Sequence, residues 1–449
     1  MLQNKELDML NGSIWDKIII FALPLALTSM LQQLFNTADV AVLGQFVGKN
    51  AIAAVGNNVS LIGLLVNLFL GLSLGANVVI AQNIGANRPD KAHDAVGTAF
   101  ILAIITGTII AIVGEILIDT VLDLMEVPNE VRAMAETYMR IYLIGMPAIG
   151  LYNFESAIFR SRGDTKTPLM SLAVATVINI FLNLLFVIHF EMAVDGVAIA
   201  TVIANVVSAL ILFRALCHTE SIIHLDIHAI KFDKSSMLTI IKIGLPAGIQ
   251  GMVFSLSNLL IQTAINNLGA DAMAASAAAF TIEINVYCVI SGFGQAATTF
   301  VSQNYGAGNI ARCKRITWIA ILISSIFMAA ISAFILIFAE DLLRFFNNDS
   351  NVIALGKLRL FYIVAPEILS VFMDVISGSL RGYGISLAPA VLTLIGVCGI
   401  RITWLYTIFL AYPTYETLMI VYPISWLVTT ILLMFAYAFY IKHLKVIRL

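Results

Sequence analysis

The sequence predicts an all-α integral membrane protein with twelve transmembrane helices in two six-helix lobes, related by a pseudo-two-fold axis along the membrane normal. Three observations carry that reading. A chain of 449 residues with 60% hydrophobic and only 12% charged side chains cannot be solvated as a globular surface. Charged breaks divide it into apolar stretches that match or exceed the roughly 20 residues a spanning helix needs. Finally, Ala81-Gln82-Asn83-Ile84-Gly85-Ala86-Asn87 returns 221 positions later as Ser302-Gln303-Asn304-Tyr305-Gly306-Ala307-Gly308.

Taken in order, the first stretch is 17–43, which opens behind Asp16-Lys17 and contains Pro24. The second, 51–81, starts after Gly48-Lys49-Asn50, and the third, 95–118, follows the charged run from Arg88 to Asp94. The fourth, 137–159, stops at Arg160-Ser161-Arg162; the fifth, 168–189, opens at Pro168; the sixth, 194–216, closes at Cys217-His218. The second half repeats the pattern at 237–267, 272–302, 316–339, 356–379, 388–411 and 417–441. The same offset sets Gly48 on Gly269, Ala51 on Ala272, Gly71 on Gly292, Phe159-Arg160-Ser161-Arg162-Gly163 on Leu380-Arg381-Gly382-Tyr383-Gly384, and Pro168 on Pro389. One extra residue in the first helix moves Pro24 to Pro246. Several stretches exceed the minimum length, so tilted or bent helices are expected.

The breaks alternate in charge. Lys5, Lys17, Arg88, Lys91, Arg160, Arg162, Lys166, Arg214, Lys231, Lys234, Lys242, Arg312, Lys314, Arg315, Arg381, Lys442, Lys445 and Arg448 fall on one side, which the positive-inside rule makes cytoplasmic. Asp119, Asp123, Glu126, Glu130, Glu340, Asp341 and Asp349 fall on the other. Both termini are then expected inside, with the first helix kept as a signal-anchor. The expected organisation is an amino-terminal lobe 1–217, a cytoplasmic linker 218–236 and a carboxy-terminal lobe 237–449. Duplicated halves of a multi-pass protein are the architecture of secondary transporters.

Other chemistries find no support. The glycines of Gly292-Phe293-Gly294 and Gly382-Tyr383-Gly384 lack the Lys-Ser/Thr of a phosphate cradle, and no Ser/His/Asp set lies at one depth. The chain is therefore expected not to be an enzyme, to need no cofactor, and to have no nucleic-acid partner. Cys217, Cys288, Cys313 and Cys398 are scattered without metal-ligand spacing and read as small hydrophobes. His224 and His228 are spaced i, i+4, but a solvated amphipathic linker helix explains them better than a metal.

Function is sought among intramembrane ionisable residues, each costing at least about 2.5–3.5 kcal/mol at a helix centre. In the first half these are Asp39 and Glu155; in the second, Glu283, Asp374 and Glu367, with Arg401 as the lone deep cation. Asp39 is read either as a proton or Na⁺ site or as a helix-end residue in water. The first reading is favoured because Asn179 and Asn183, spaced i, i+4, offer a second polar face. Glu283 and Asp374 are read either as a cation or proton site or as partners of Arg401. The 221 offset sets Asp374 on Asn153, so the lobes differ in charge at matched depth.

These residues resemble the multidrug and toxic compound extrusion (MATE) transporters, most closely the bacterial DinF-type branch, over roughly residues 12–440. The likeness rests on Asp39-x4-Gly44, the twin Gln-Asn-x-Gly-Ala segments at 82–86 and 303–307, the run from Phe159 to Pro168, and Leu380-Arg381-Gly382. It implies two lobes around a V-shaped cavity and export of amphipathic, often cationic organic compounds in exchange for H⁺ or Na⁺. A monomer in the lipid of a bacterial inner membrane is the expected setting. The resemblance carries an ion and cargo site onto Asp39, Tyr138, Asn153, Asn179 and Thr201; the residue types themselves offer Asp39, Asn179, Asn183 and Thr201 as oxygen ligands for Na⁺. Asn183 stands where the branch usually has a second aspartate, which shifts weight to Glu283 and Asp374. A flippase for a lipid-linked precursor is the alternative within the same superfamily; a receptor or intramembrane enzyme is the remote one.

Overall fold

The computed structural model describes residues 7–125 and 127–444, so Lys5, Glu126, Lys445 and Arg448 lie outside the described residues. The first half comprises α1 (Trp15–Phe46), α2 (Lys49–Gly85), α3 (Pro89–Leu124), α4 (Asn129–Ile144), α5 (Met146–Ser161), α6 (Lys166–Leu184) and α7 (Val194–His218). The second comprises α8 (Lys234–Asn266), α9 (Ala270–Gly306), α10 (Ile310–Ile337), α11 (Ala339–Arg344), α12 (Ser350–Val364), α13 (Ile368–Gly382), α14 (Leu387–Thr393), α15 (Ile400–Trp404) and α16 (Tyr415–His443). Among the described residues 11 helices are long and apolar enough to cross a membrane. The twelfth crossing is α4 and α5 together, each too short alone.

That fourth crossing breaks at Gly145, whose amide donates to Tyr142 O (3.0 Å) in a tightened last turn, while Pro147 has no amide to offer. A Cβ at Gly145 would stand 2.7 Å from Val202 Cγ2, so a larger residue is excluded. The second half interrupts the matched helix at the same place, with the tight turn Ala365–Glu367 around Pro366 between α12 and α13. The repeat also fixes backbone shape. Gly48 and Gly269 have φ of 119° and 102°, Gly163 and Gly384 have 103° and 84°, and Asn87 and Gly308 have 54° and 74°. Left-handed residues therefore close α2, α5, α9 and α13 at matched points.

Packing divides the chain inside helices. One compact unit runs from Leu27 to Gly248; the other joins Asp8–Ala26 to the chain from Ile249 onward. The opening of α8 thus packs with the first unit and the opening of α1 with the second. Small residues make both joints. A Cβ on Gly71 of α2 would stand 2.1 Å from Gly248 N, and one on Gly75 would stand 2.3 Å from Ile240 O. In the other unit a Cβ on Gly292 of α9 would stand 2.8 Å from Ala22 O and 3.1 Å from Ala26 N. These are close backbone approaches of the small-x3-small kind. Gly71→Ala is accordingly expected to lower the melting temperature of the purified protein, overpacking typically costing ~1–3 kcal/mol. Gly63→Ala, where a Cβ meets nothing within 4 Å, is the control and should not.

The linker departs from expectation. Residues 219–233 form turns rather than an amphipathic helix, and Ile223 and Leu225 are buried in the core of the first unit. Leu225 N is hydrogen-bonded to Leu216 O, which folds the segment back along α7. Asp233 caps α8 by accepting from Ser236 N (2.8 Å), and the Ser236 side chain holds its carboxyl below the usual range. The four cysteines are free.

Candidate functional site

In the first unit four side chains close a ring. Asp39 comes from the last third of α1, Asn179 and Asn183 from successive turns of α6, and Thr201 from the second turn of α7. Asn183 Nδ2 donates to Asp39 Oδ1 (2.6 Å) and to Asn179 Oδ1 (3.2 Å). Thr201 Oγ1 donates to Asp39 Oδ2 (2.8 Å) and accepts from Asn179 Nδ2 (3.3 Å). All four are buried, Asp39 being 3% exposed. The geometry follows from sequence spacing: residues four apart on α6 stack on one face, and both amides therefore meet the same carboxylate. Immediately after Asn183 the helix widens into a π turn, Leu185–His189, a departure from α geometry that concentrates at functional sites.

The ring is an oxygen-rich pocket with one valence left over. Asn183 Oδ1 is buried and has no hydrogen-bond partner among the described residues. An unmet buried acceptor costs about 1–3 kcal/mol, which a cation or a proton shared across the ring would recover. Asp39 Oδ1 and Oδ2, Asn179 Oδ1, Asn183 Oδ1 and Thr201 Oγ1 form a hard-oxygen donor set suited to Na⁺. One turn away, toward the end of the unit that carries Arg160 and Lys166, Phe35, Ala175 and Ala204 form a dry cluster across the same three helices.

Tyr138 and Asn153 are not members of the hydrogen-bonded ring, although Tyr138 is near enough to feel the charge of Asp39. Tyr138 is buried and stacks on Tyr142 with centroids 6.1 Å apart, while Asn153 Nδ2 donates to Ile149 O (2.8 Å) in its own helix. Neither hydrogen-bonds Asp39 among the described residues.

The second unit corrects one expectation. Arg401 is not the lone deep cation and pairs with neither Glu283 nor Asp374. Glu283 is held instead by Arg359 in a two-pronged ion pair: Nε donates to Oε1 and Nη2 to Oε2, both at 2.8 Å, with the Glu283 and Arg359 side chains 9% and 5% exposed. Fork-to-fork geometry satisfies both carboxylate oxygens, and the Tyr415 hydroxyl lies against the same guanidinium. Arg359 escaped sequence reasoning because it follows Lys357-Leu358 at the head of an apolar run and reads as a helix-end residue; the need of Glu283 for a cation was the available signal. Arg401, 1% exposed, sits on α15 between two π turns, Leu394–Gly399 and Leu405–Phe409. Its Nη1 donates to Asn258 Oδ1 (2.8 Å) and its guanidinium lies 4.3 Å over the Tyr422 ring. Asp374 is half-buried on α13, and its Cβ stands 3.3 Å from the point a Cβ on Gly294 of α9 would occupy.

Comparison with known proteins adds three findings. The family model MatE matches residues 24–185 and again 246–407. The probable multidrug resistance protein YoeA of Bacillus subtilis is 26% identical over 446 residues, covering 97% of this chain and 96% of the relative. The probable multidrug resistance protein NorM of Thermotoga maritima is 28% identical over 391 residues, covering 86% and 84%. Among solved structures, the outward-facing conformation of a multidrug resistance MATE family transporter of the MOP superfamily superposes with a TM-score of 0.91 at 23% identity. It covers 98% of this chain and 99% of that one, a likeness in fold.

Proposed function

The chain belongs to the MatE family, and from that premise we propose that it is an ion-coupled multidrug exporter that exchanges H⁺ or Na⁺ for amphipathic, often cationic organic compounds by alternating access. The single observation that carries the coupling step is the Asp39 ring, a buried carboxylate sharing two hydrogen bonds with an orphaned amide oxygen beside it. A charged carboxylate there favours a bound cation, and a protonated one favours release of that cation, so one site serves ion and exchange alike. Asn179, Asn183 and Thr201 are the ligands of that ion, and Tyr138 and Asn153 line the cargo side of the same lobe. In the second lobe Asp374 is the proposed acidic contact. Glu283, neutralised by Arg359, is assigned a structural part, and Arg401, with its guanidinium stacked on Tyr422, supplies the buried positive charge of the second lobe. Multidrug resistance names among the relatives support the substrate class. On this reading both termini and the basic loops face the cytoplasmic side of the plasma membrane.

The test is efflux of a fluorescent organic cation from proteoliposomes. Transport is expected under an imposed pH or Na⁺ gradient and absent with ATP alone; ATP-driven export without a gradient rejects the reading. Asn183→Asp probes the departure from a paired-carboxylate site. It would set a second carboxylate at about hydrogen-bond distance from Asp39, and the two would share a proton. We expect export to continue with its pH optimum moved upward, since a proton held between two carboxylates leaves only at higher pH; an unmoved profile would show that Asn183 does not face the titrating group.

A further inference from the structure

We propose that Glu155 is a second proton site of the amino-terminal lobe, at the opposite end of the lobe from Asp39. The inference rests on the reading of the protein as an ion-coupled exporter and adds a residue to it. Glu155 lies on α5, six residues before that helix ends at Ser161, whereas Asp39 lies seven residues before α1 ends at Phe46. At 1.5 Å per residue each carboxyl is roughly 10 Å inside its own end of the unit. The end near Glu155 carries Arg160 and Lys166; the end near Asp39 carries Asp119, Asp123 and Glu130.

Glu155 is 1% exposed, and neither carboxyl oxygen has a hydrogen-bond or ion-pair partner among the described residues. On the same 100°-wide stripe of α5, the Tyr152 hydroxyl and Ser156 Oγ are also buried, beside one another and with nothing else to bond. Four polar atoms thus share one buried stripe that the protein leaves under-satisfied, a place for a proton and the water that delivers it. Among the described residues the surrounding helices supply no counter-charge to Glu155 itself, although Arg160 lies near enough to act on the Tyr152 hydroxyl. α2 has no titratable side chain after Lys49, α3 has none between Asp94 and Glu115, and α6 has none after Lys166. The last titratable group of α4 is Tyr142, before the Gly145 break, and α5 itself adds Tyr152 and, beyond one turn, Arg160 at the helix end. On α7, Cys217 is near enough to feel the charge of Glu155, while Arg214 and His218 are exposed. A carboxyl so placed holds its proton while the lobe is closed and gives it up only when water reaches it.

The duplicated half shows that the fold does not need this acid. The residue 221 positions on is Ile376, 1% exposed at the same point of α13, and Tyr152 is matched by Met373. An apolar side chain is what the scaffold packs there; the carboxyl of Glu155 is an addition.

Two measurements on the full-length protein test the proposal. The wild-type-minus-variant infrared difference spectrum of the purified transporter, in which the other buried acids such as Glu367 cancel, should contain a protonated-carboxyl band for both Glu155→Gln and Glu155→Ile, and the same band should appear when Asp39→Asn is the common background. In proteoliposomes the same two variants, folded at wild-type melting temperature, should lose at least about tenfold in pH-driven export, a change of 1.4 kcal/mol in the rate-determining barrier. A difference spectrum that lacks the band for both variants, or export by either at the wild-type rate, overturns the assignment. Failure of the exporter reading itself looks different: export would then be independent of any gradient in the wild type, while the infrared band would still report on Glu155.

Discussion

Asp39→Asn is expected to abolish gradient-driven export while leaving folded protein in the membrane. The amide keeps the size of the carboxylate but cannot bind and release a proton, and it replaces charge with a dipole at the centre of the oxygen set. Locally the exchange is tolerable. The Asn183 amide donates at 2.6 Å and the Thr201 hydroxyl at 2.8 Å, and the new side chain offers one oxygen where two were used. One donor is left unmet, at about 1–3 kcal/mol, unless the introduced amide turns its NH₂ toward the orphaned Asn183 oxygen. Stability therefore falls little or not at all, and transport falls at least about tenfold. The two are separated by measuring efflux and melting temperature on one preparation; wild-type efflux by Asp39→Asn would move coupling out of this ring.

Arg359→Leu should do the reverse, costing stability first. It strands the Glu283 carboxylate with neither of its two 2.8 Å hydrogen bonds, and removal of one member of a buried ion pair typically costs ~3–5 kcal/mol. Glu283→Gln should cost less, because an amide can still accept from the guanidinium. The double variant Glu283→Gln/Arg359→Leu should recover much of the loss, since replacing both charges removes the uncompensated one. A thermal-unfolding cycle over the four proteins gives the coupling energy directly. If Glu283→Gln melts like the wild type yet fails to export, Glu283 belongs to the transport machinery and not to the scaffold.

Much of this architecture is legible in the chain because it is written twice. The matched left-handed residues Asn87 and Gly308, and the matched glycines Gly163 and Gly384, stand where the repeated motifs are densest. The bringing together of Asp39, Asn179 and Asn183 was likewise within reach, since only the i, i+4 rule and the rarity of buried acids are needed to pair them. What stayed hidden depends on contacts between distant segments. Arg359 looks like a boundary residue until Glu283 is seen 76 positions away. The crowding of Gly145 comes from Val202 on another helix, and the linker is drawn onto the core by Ile223 and Leu225 rather than left as a solvated helix. Tyr138 and Asn153 came from resemblance alone, and their own hydrogen bonds and ring contacts lie elsewhere.

The opening of α1 is made first and finds its partners last. Asp8–Ala26 belongs to the compact unit built from Ile249 onward. Asn304 donates to Met9 O across 295 positions, and Arg312 reaches Gly12 O across 300. During synthesis at about 5–20 residues per second, this segment waits some tens of seconds in the bilayer before α9 and α10 exist to receive it. The first lobe in turn cannot close until the start of α8 emerges to meet Gly71. Cutting the gene at the linker would therefore not yield two independent folding domains: each fragment would carry a stretch that only its counterpart can bury, and the two would have to be made together to give either.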